Sequence, residues 1–345
     1  MNQSSDGFST SFEPDAEPVV AVAEQPQPEG FHREKPVVVT GAAGLVGKRT
    51  CTVLTQQGWQ VRALVRSAAR AAERLGHLNL EIRSGDVRDP DSVRAALRGA
   101  GAVVHLAAIA IEKKGESYED TNTRATRVIV DAARAESVDR IIYMSQNGAD
   151  SKSPYPFLRS KGIAQDYVTD SSLQWTVLKP SVIFGPEDEF VNVLARLVRL
   201  SPGLYPLPGG GKARFQPVAV SDVAAAVAKC LDDDSTIGRV LSLGGPMPLS
   251  LREMTERILV AMKASRVLVG VPVAALRPLI ALAQAVLPHP PVTTGLLDLL
   301  ALDNVIPSND LPSLGIHPIP FAPEELLYLR NISFSDAVGS LLRKK

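Results

Sequence analysis

Thr40-Gly41-Ala42-Ala43-Gly44-Leu45-Val46-Gly47 sets three glycines, three residues apart, between the apolar run Val37-Val38-Val39 and a stretch that reads as a helix. A strand that turns through glycine straight into a helix leaves the first helical N–H groups unpaired. Those groups, with the positive end of the helix dipole, favour an anion. Gly41 permits the tight turn, Gly44 lets backbone approach a pyrophosphate, and Gly47 lets the helix pack closely on the strand. The plain alternative is a glycine-rich turn that binds nothing. The strands that follow in register argue against it.

From Pro36 the chain alternates short apolar runs with amphipathic segments of helical length. Val37–Thr40, Gln60–Arg66, Leu80–Ser84, Gly101–Leu106, Arg140–Ser145 and Trp175–Pro180 read as strands, and helices fall near 45–57, 68–75, 90–98, 118–136 and 157–170. That alternation predicts an α/β fold, a Rossmann-type doubly wound parallel sheet with helices on both faces. Further on, the pattern gives a helix near 188–200, a Pro- and Gly-rich loop over Ser201–Lys212, a helix ending near Leu231, a last strand at 239–243 and a helix over 250–264. Residues 35–243 are thus expected to form the nucleotide-binding domain, with the loop 185–214 reaching into a smaller, mostly helical C-terminal lobe over 244–345.

Residues 1–34 differ in character. Asp6, Glu13, Asp15, Glu17, Glu24, Glu29 and Glu34 face one base, Arg33, and Pro14, Pro18, Pro26 and Pro28 interrupt regular structure. This segment is expected to be a disordered acidic tail, neither a secretory signal nor an Arg-rich transit peptide. Across the whole chain 37 basic residues balance 37 acidic ones, which gives no field for nucleic acid. Cys51 and Cys230 have no metal-ligand or CxxC spacing, so neither a metal site nor a disulfide framework is expected, and a reducing cytoplasm suits them.

The end of the second strand speaks to cofactor choice. An NAD(H) site often carries Asp or Glu there, whereas an arginine nearby accommodates the 2′-phosphate of NADP(H). Here Val65 stands where that carboxylate would be, and Arg66 follows. Arg66 either grips the phosphate, which favours NADP(H) over NAD(H), or is merely solvated at the strand's edge.

With these features in order, residues 36–230 resemble the extended and atypical short-chain dehydrogenase/reductases, the class of NAD-dependent epimerases and dehydratases. The resemblance implies that backbone at Ala43, Leu45 and Val46 joins the three glycines around the pyrophosphate. It also implies that Asp86 and Val87, in Ser84-Gly85-Asp86-Val87, lie by the adenine. Leu106, Ala107 and Ala108 after His105 line the cofactor, and Asn122 opens the long fourth helix. Pro180 and Ile183, in Lys179-Pro180-Ser181-Val182-Ile183-Phe184-Gly185-Pro186, sit beside the nicotinamide. Read singly, Asp86 could equally be a turn residue and His105 a satisfied core histidine.

The class needs a tyrosine four residues before a lysine, so that both side chains share one helical face and the ammonium lowers the phenol's pKa. Lys161 is present, but Phe157 occupies the tyrosine's place. Tyr155, between Pro154 and Pro156, is six residues away and about 240° round the helix. It serves only as a displaced substitute. Ser145 matches the class's catalytic serine, and without a phenol it would hydrogen-bond cofactor or ligand. Lys161 would still hold the nicotinamide ribose.

Tyr155–Lys161, Pro180–Phe190, Arg214–Val218 and Pro291–Asp298 resemble one atypical branch, which contains the accessory NADPH-binding subunit of respiratory complex I and its bacterial relatives. For that branch the nucleotide is implied to serve structure or sensing more than turnover. Residues 267–287 are almost wholly apolar, but Arg277 and Pro278 split them, which excludes a transmembrane span. Leu276, Ile280, Ala283 and Leu287 form a helical stripe. It packs against the sheet domain, or it offers a hydrophobic mouth to a quinone, an isoprenoid, a partner helix or a membrane surface.

Three functional readings follow. The first is an NADP(H)-binding protein with a structural, regulatory or weakly reducing role, linked to a respiratory or quinone-related membrane system. The second is an NADP-dependent reductase or epimerase acting on a lipid-like or sugar substrate. The third is an assembly or interaction factor.

Overall fold

The computed structural model describes residues 34–113, 115–287, 290 and 292–342. Nearly all of the expected acidic tail, and Pro291 of the C-terminal stretch, lie outside these residues. Seven strands form one parallel sheet: β1 (Val37–Thr40), β2 (Val61–Val65), β3 (Glu81–Ser84), β4 (Ala102–His105), β5 (Arg140–Met144), β6 (Gln174–Pro180) and β11 (Arg239–Leu243). Their order is β11-β6-β5-β4-β1-β2-β3, so the winding reverses between β1 and β4. A ligand crevice opens at such a reversal, outside the carboxyl ends of the strands.

Alternate side chains of each strand feed two separate cores. Val37 and Val39 of β1 face α1 (Leu45–Gln56), α2 (Ala68–Leu75) and α7 (Val220–Asp232), where Cys51, Leu54, Leu75, Val223 and Val227 are buried. Val38 faces α3 (Pro90–Leu97), α4 (Ala125–Ala135) and α5 (Pro156–Thr169), against Val93, Leu97, Ile129, Ala164 and Val168. Burial on both sides explains why these strands read as unbroken apolar runs.

A third core gathers Phe184, Val191, Leu194, Tyr205, Leu207 and Phe215 with Met254, Ile258, Phe321 and Leu329. It joins α6 (Val191–Leu200) to α8 (Leu251–Ala261) and to the 3-10 helix Pro323–Asn331. Two short pairs connect this part to the sheet's edge: β7 (Ile183–Phe184) with β10 (Val218–Ala219), and β9 (Arg214–Phe215) with β12 (Leu249–Ser250). The remaining helices are α9 (Val273–Val286), α10 (Thr294–Leu300) and α11 (Phe334–Leu342).

One expectation needs correction. Ser201–Lys212 is not all loop, because Leu204–Pro208 forms β8 and pairs in parallel with β13 (Val267–Val271). Proline is tolerated in a two-stranded ribbon, where the outer N–H groups have no ladder partner, so Pro206 and Pro208 do not break β8. The apolar run from Val267 therefore begins as a strand rich in valine, and Pro272 then opens α9. The helix expected over 118–136 is present, with its first part, Glu119–Arg124, wound as a π-helical turn that runs straight into α4.

The stripe Leu276, Ile280, Ala283 and Leu287 is only half-buried, and α9 has α10 as a neighbour, while Leu279, Leu282 and Val286 face outward. Among the described residues no helix is long and apolar enough to cross a membrane.

Arg140, at the start of β5, is wholly buried. Its guanidinium donates to Gln174 O (2.8 Å), Cys230 O (2.6 Å), Thr176 Oγ1 (2.8 Å) and Thr236 Oγ1 (3.0 Å). It thus ties the end of α7 to the sheet. Burial lowers its pKa to about 10, which still leaves it charged at neutral pH. Arg140→Ala removes a buried donor from Gln174 O and leaves Cys230 O with only the longer bond from Thr236 Oγ1 (3.3 Å), so urea denaturation should show a loss of about 3 kcal/mol. A change below about 0.5 kcal/mol, the size usual for a surface substitution, would refute this role.

Candidate functional site

The glycine loop has the shape its sequence demands. Gly41 sits at φ 67°, and a Cβ there would lie 2.9 Å from Ala107 N, so β4's exit loop packs directly on it. At Gly47 a Cβ would meet Gly41 O at 2.1 Å, which excludes any side chain. No side chain caps α1, and its first turn carries no acid, so the amides at its N-terminus remain available to an anion.

Thr40 Oγ1 is the hub behind this loop. It lies 2.7 Å from His105 Nδ1 and accepts from Leu106 N (3.2 Å) and Ala107 N (3.3 Å). His105 Nε2 is 3.0 Å from Thr126 Oγ1, which itself donates to Asn122 O. The chain of donors assigns the Nε2–H tautomer. Burial first, then the Lys161 charge, lowers the His105 pKa to about 3, so the ring is neutral. His105 is therefore a satisfied core histidine.

Asn122 also spends its side chain on protein. Its Oδ1 accepts from Ile109 N (2.8 Å), and its Nδ2 donates to Ile109 O (3.1 Å) and Ser160 Oγ (3.1 Å). It thereby fastens the loop after Ala107 and Ala108 to α5. Ser145 Oγ donates to Gln165 Oε1 at 2.9 Å, one helical turn beyond Lys161. Pro180 is buried, and Ile183 packs on the core shared with α1 and α7.

Lys161 is buried, with Nζ 2.6 Å from Met144 O and 4.6 Å from the centroid of the Tyr143 ring. Desolvation lowers its pKa to about 7. Phe157 lies one turn earlier and packs on Tyr118, ring centroids 5.7 Å apart. Tyr155 is the residue just before α5, Tyr118 Oη donates to Ala110 O (2.9 Å), and Tyr143 is buried behind the strand end.

At the far end of the crevice Asp86 binds Arg88 side-on, with Oδ2 to Nη2 at 2.7 Å and Oδ1 to Nε at 3.0 Å. Those bonds, led by the Arg88 side chain, hold the Asp86 carboxyl below the usual range. Val87 is half-buried against the core beneath. Arg66, largely exposed, pairs with Glu116. Sequence reasoning missed Arg88, Glu116, Asn147 and Asn304. Asn147 Nδ2 donates to Asn304 Oδ1 (2.7 Å), and Ser181 Oγ donates to Asn304 O (2.7 Å), so the C-terminal part closes the crevice beside Pro180. Nothing local marks Asn304, which is 157 residues from Asn147.

A cleft of about 360 Å³ on the outer side of α1, lined by Leu45, Lys48, Arg74, Phe184 and Glu187, adjoins the crevice. Among the described residues no group of three His, Cys, Asp or Glu is placed to hold a metal ion.

A reversed parallel sheet with a glycine-tight strand-to-helix turn at the reversal defines a dinucleotide-binding α/β fold. The chain belongs to the family described as NAD(P)H-binding, whose model matches residues 41–234. It is 34% identical over 224 residues to the Arabidopsis thaliana mitochondrial NADH dehydrogenase [ubiquinone] 1 alpha subcomplex subunit 9, covering 63% of this chain and 56% of that one. The chain thus spans little more than half the length of that relative. It is 28% identical over 263 residues to the 2-alkyl-3-oxoalkanoate reductase of Stenotrophomonas maltophilia, covering 67% of this chain and 77% of the reductase. Among solved structures, the UDP-glucose 4-epimerase of Thermus thermophilus in complex with NAD shares the fold, with a TM-score of 0.65 at 19% identity over 88% of this chain and 99% of that one.

The sign of the Lys161 shift gives a stability test. Its folded pKa, about 7, lies below the value of 10.5 for an exposed lysine, so between these the unfolded chain holds more protons. Stability therefore falls as pH drops from about 10.5 to 7 and levels off below. Lys161→Met should raise the Tm at pH 7 and lose that advantage towards pH 10. A Tm gain independent of pH would contradict the assignment.

Proposed function

We propose that the chain binds NADP(H) in preference to NAD(H), and that the bound nucleotide serves structure or regulation, with at most slow reduction. The observation that carries this reading is Phe157, one helical turn before a lysine that is otherwise in place. The glycine turn suits a pyrophosphate, since no side chain caps the α1 N-terminus and no acid stands in its first turn. Backbone at Ala43, Gly44, Leu45 and Val46 would hold the phosphates, Asp86 and Val87 would border the adenine, and Leu106, Ala107 and Ala108 would line the crevice. Lys161 would hold the ribose next to the nicotinamide, with Pro180 and Ile183 beside the ring. Asn122 and Ser145, whose side chains bond Ile109, Ser160 and Gln165, would shape the site more than touch the cofactor.

A bound nicotinamide supplies a hydride donor or acceptor. This chain's residues supply no phenol at the place where a substrate oxygen needs its proton. The likeness to a complex I subunit supports a role beside a membrane complex, and the outward apolar side of α9 is compatible with peripheral contact there. The likeness to a reductase supports the second reading, an NADP-dependent reductase with Tyr155 as a displaced proton donor.

Calorimetric titration should give tighter binding of NADPH than NADH, and Arg66→Ala should weaken NADPH about tenfold, the value of one charge-assisted contact. Equal affinities in the wild type would overturn the preference. Wild-type turnover of NADPH with quinones, aldehydes or sugar nucleotides should be slow. General acid–base catalysis is worth about 10²–10⁴ in rate, so Phe157→Tyr should raise turnover while Tyr155→Phe leaves it unchanged. Fast wild-type turnover that collapses in Tyr155→Phe would make the chain an ordinary reductase.

A further inference from the structure

The described residues between β4 and the π-helical turn, 106–113 and 115–118, lie at the end of the crevice beside β2. Lys113 and Glu116 bond each other's backbone in both directions (3.0 and 2.9 Å), and Gly115 between them sits at φ 82°. Glu112 Oε1 accepts from Tyr118 N (2.7 Å), and Tyr118 Oη reaches back to Ala110 O. Arg88 Nη1 donates to Gly115 O (3.1 Å), which pins the tip to the loop after β3. So anchored, the loop brings the Glu116 carboxylate onto Arg66, the first residue after β2. Glu116 is the more buried partner, its side chain 19% exposed against 64% for Arg66.

This placement matters because β2 ends on Val65 and lacks the carboxylate that commonly binds an adenosine ribose. We infer that Glu116 is the missing carboxylate, delivered from another loop, and that it sets nucleotide choice by competing for Arg66. The inference rests on the dinucleotide reading above. With NAD(H), a ribose 2′-hydroxyl donates to Glu116 while Arg66 stays paired. With NADP(H), the 2′-phosphate takes Arg66 and must displace a carboxylate of its own sign, with Asp86 close by and interacting with the same arginine. Glu116 therefore narrows the preference for NADP(H) that Arg66 creates. Like charges brought together weaken binding, and an ion pair this exposed is a modest competitor, so the effect is limited in size.

The test is titration of the full chain, cleared of nucleotide, with NADPH and with NADH, for wild type, Glu116→Gln, Arg66→Ala and the double variant. Glu116→Gln should strengthen NADPH binding about fivefold, the upper range for an exposed pair, and weaken NADH. In the Arg66→Ala background the same change should no longer strengthen NADPH. An unaltered ratio of the two affinities in Glu116→Gln, or an equal shift of both, would overturn the inference while leaving nucleotide binding intact. Wild type that binds neither nucleotide would overturn the dinucleotide reading itself, and this proposal with it.

Discussion

The contact between the glycine turn and the exit of β4 governs the rest of the molecule. Gly41 lies against Ala107 closely enough to exclude a methyl group, and the Thr40 hydroxyl takes up the amides of Leu106 and Ala107. β1 and β4 are the strands between which the winding reverses, so this contact fixes the width of the crevice. The neutral His105 continues the network to Thr126 and the π-helical turn that holds Asn122. A charged ring there would have to be desolvated without a counter-ion, which explains its strongly lowered pKa. The cofactor crevice is thus set by a buried polar scaffold that need not itself contact the ligand.

The sheet was legible because each strand is buried on two sides and each crossover helix on one, which forces runs and periods that neighbouring residues display. Val37-Val38-Val39 and the glycines after them needed nothing distant to be read. β8 and β13 were not legible, because their pairing joins Leu204 to Val267 across a long intervening chain, and the prolines of β8 mimic a loop. The site divides the same way. Gly41, Gly47, Lys161 and Phe157 announce themselves by spacing on one element. Glu116, Arg88 and Asn304 gain meaning only from what the fold brings opposite them, and Glu116 stood in a run of mixed charge that reads as a solvated loop.

Lys161 is a buried lysine whose helical neighbour one turn earlier is Phe157. Its ammonium is buried against the Met144 carbonyl and the face of the Tyr143 ring. A buried lysine with so few acceptors holds its proton weakly, in keeping with a pKa near 7. Ligand hydroxyls that accept from Nζ would favour the charged form, which links nucleotide affinity to proton uptake.

Asn304 joins Asn147 to Ser181, and a few residues on, Asp310 Oδ2 accepts from Ser242 N (2.7 Å) at the outer strand β11. The carboxyl ends of β5, β6 and β11 are therefore stitched by a segment that leaves the ribosome long after the strands themselves. Closing so large a loop is entropically slow relative to local pairing. The rim at the carboxyl ends of these strands therefore cannot be laced until residues 304–310 have been synthesised.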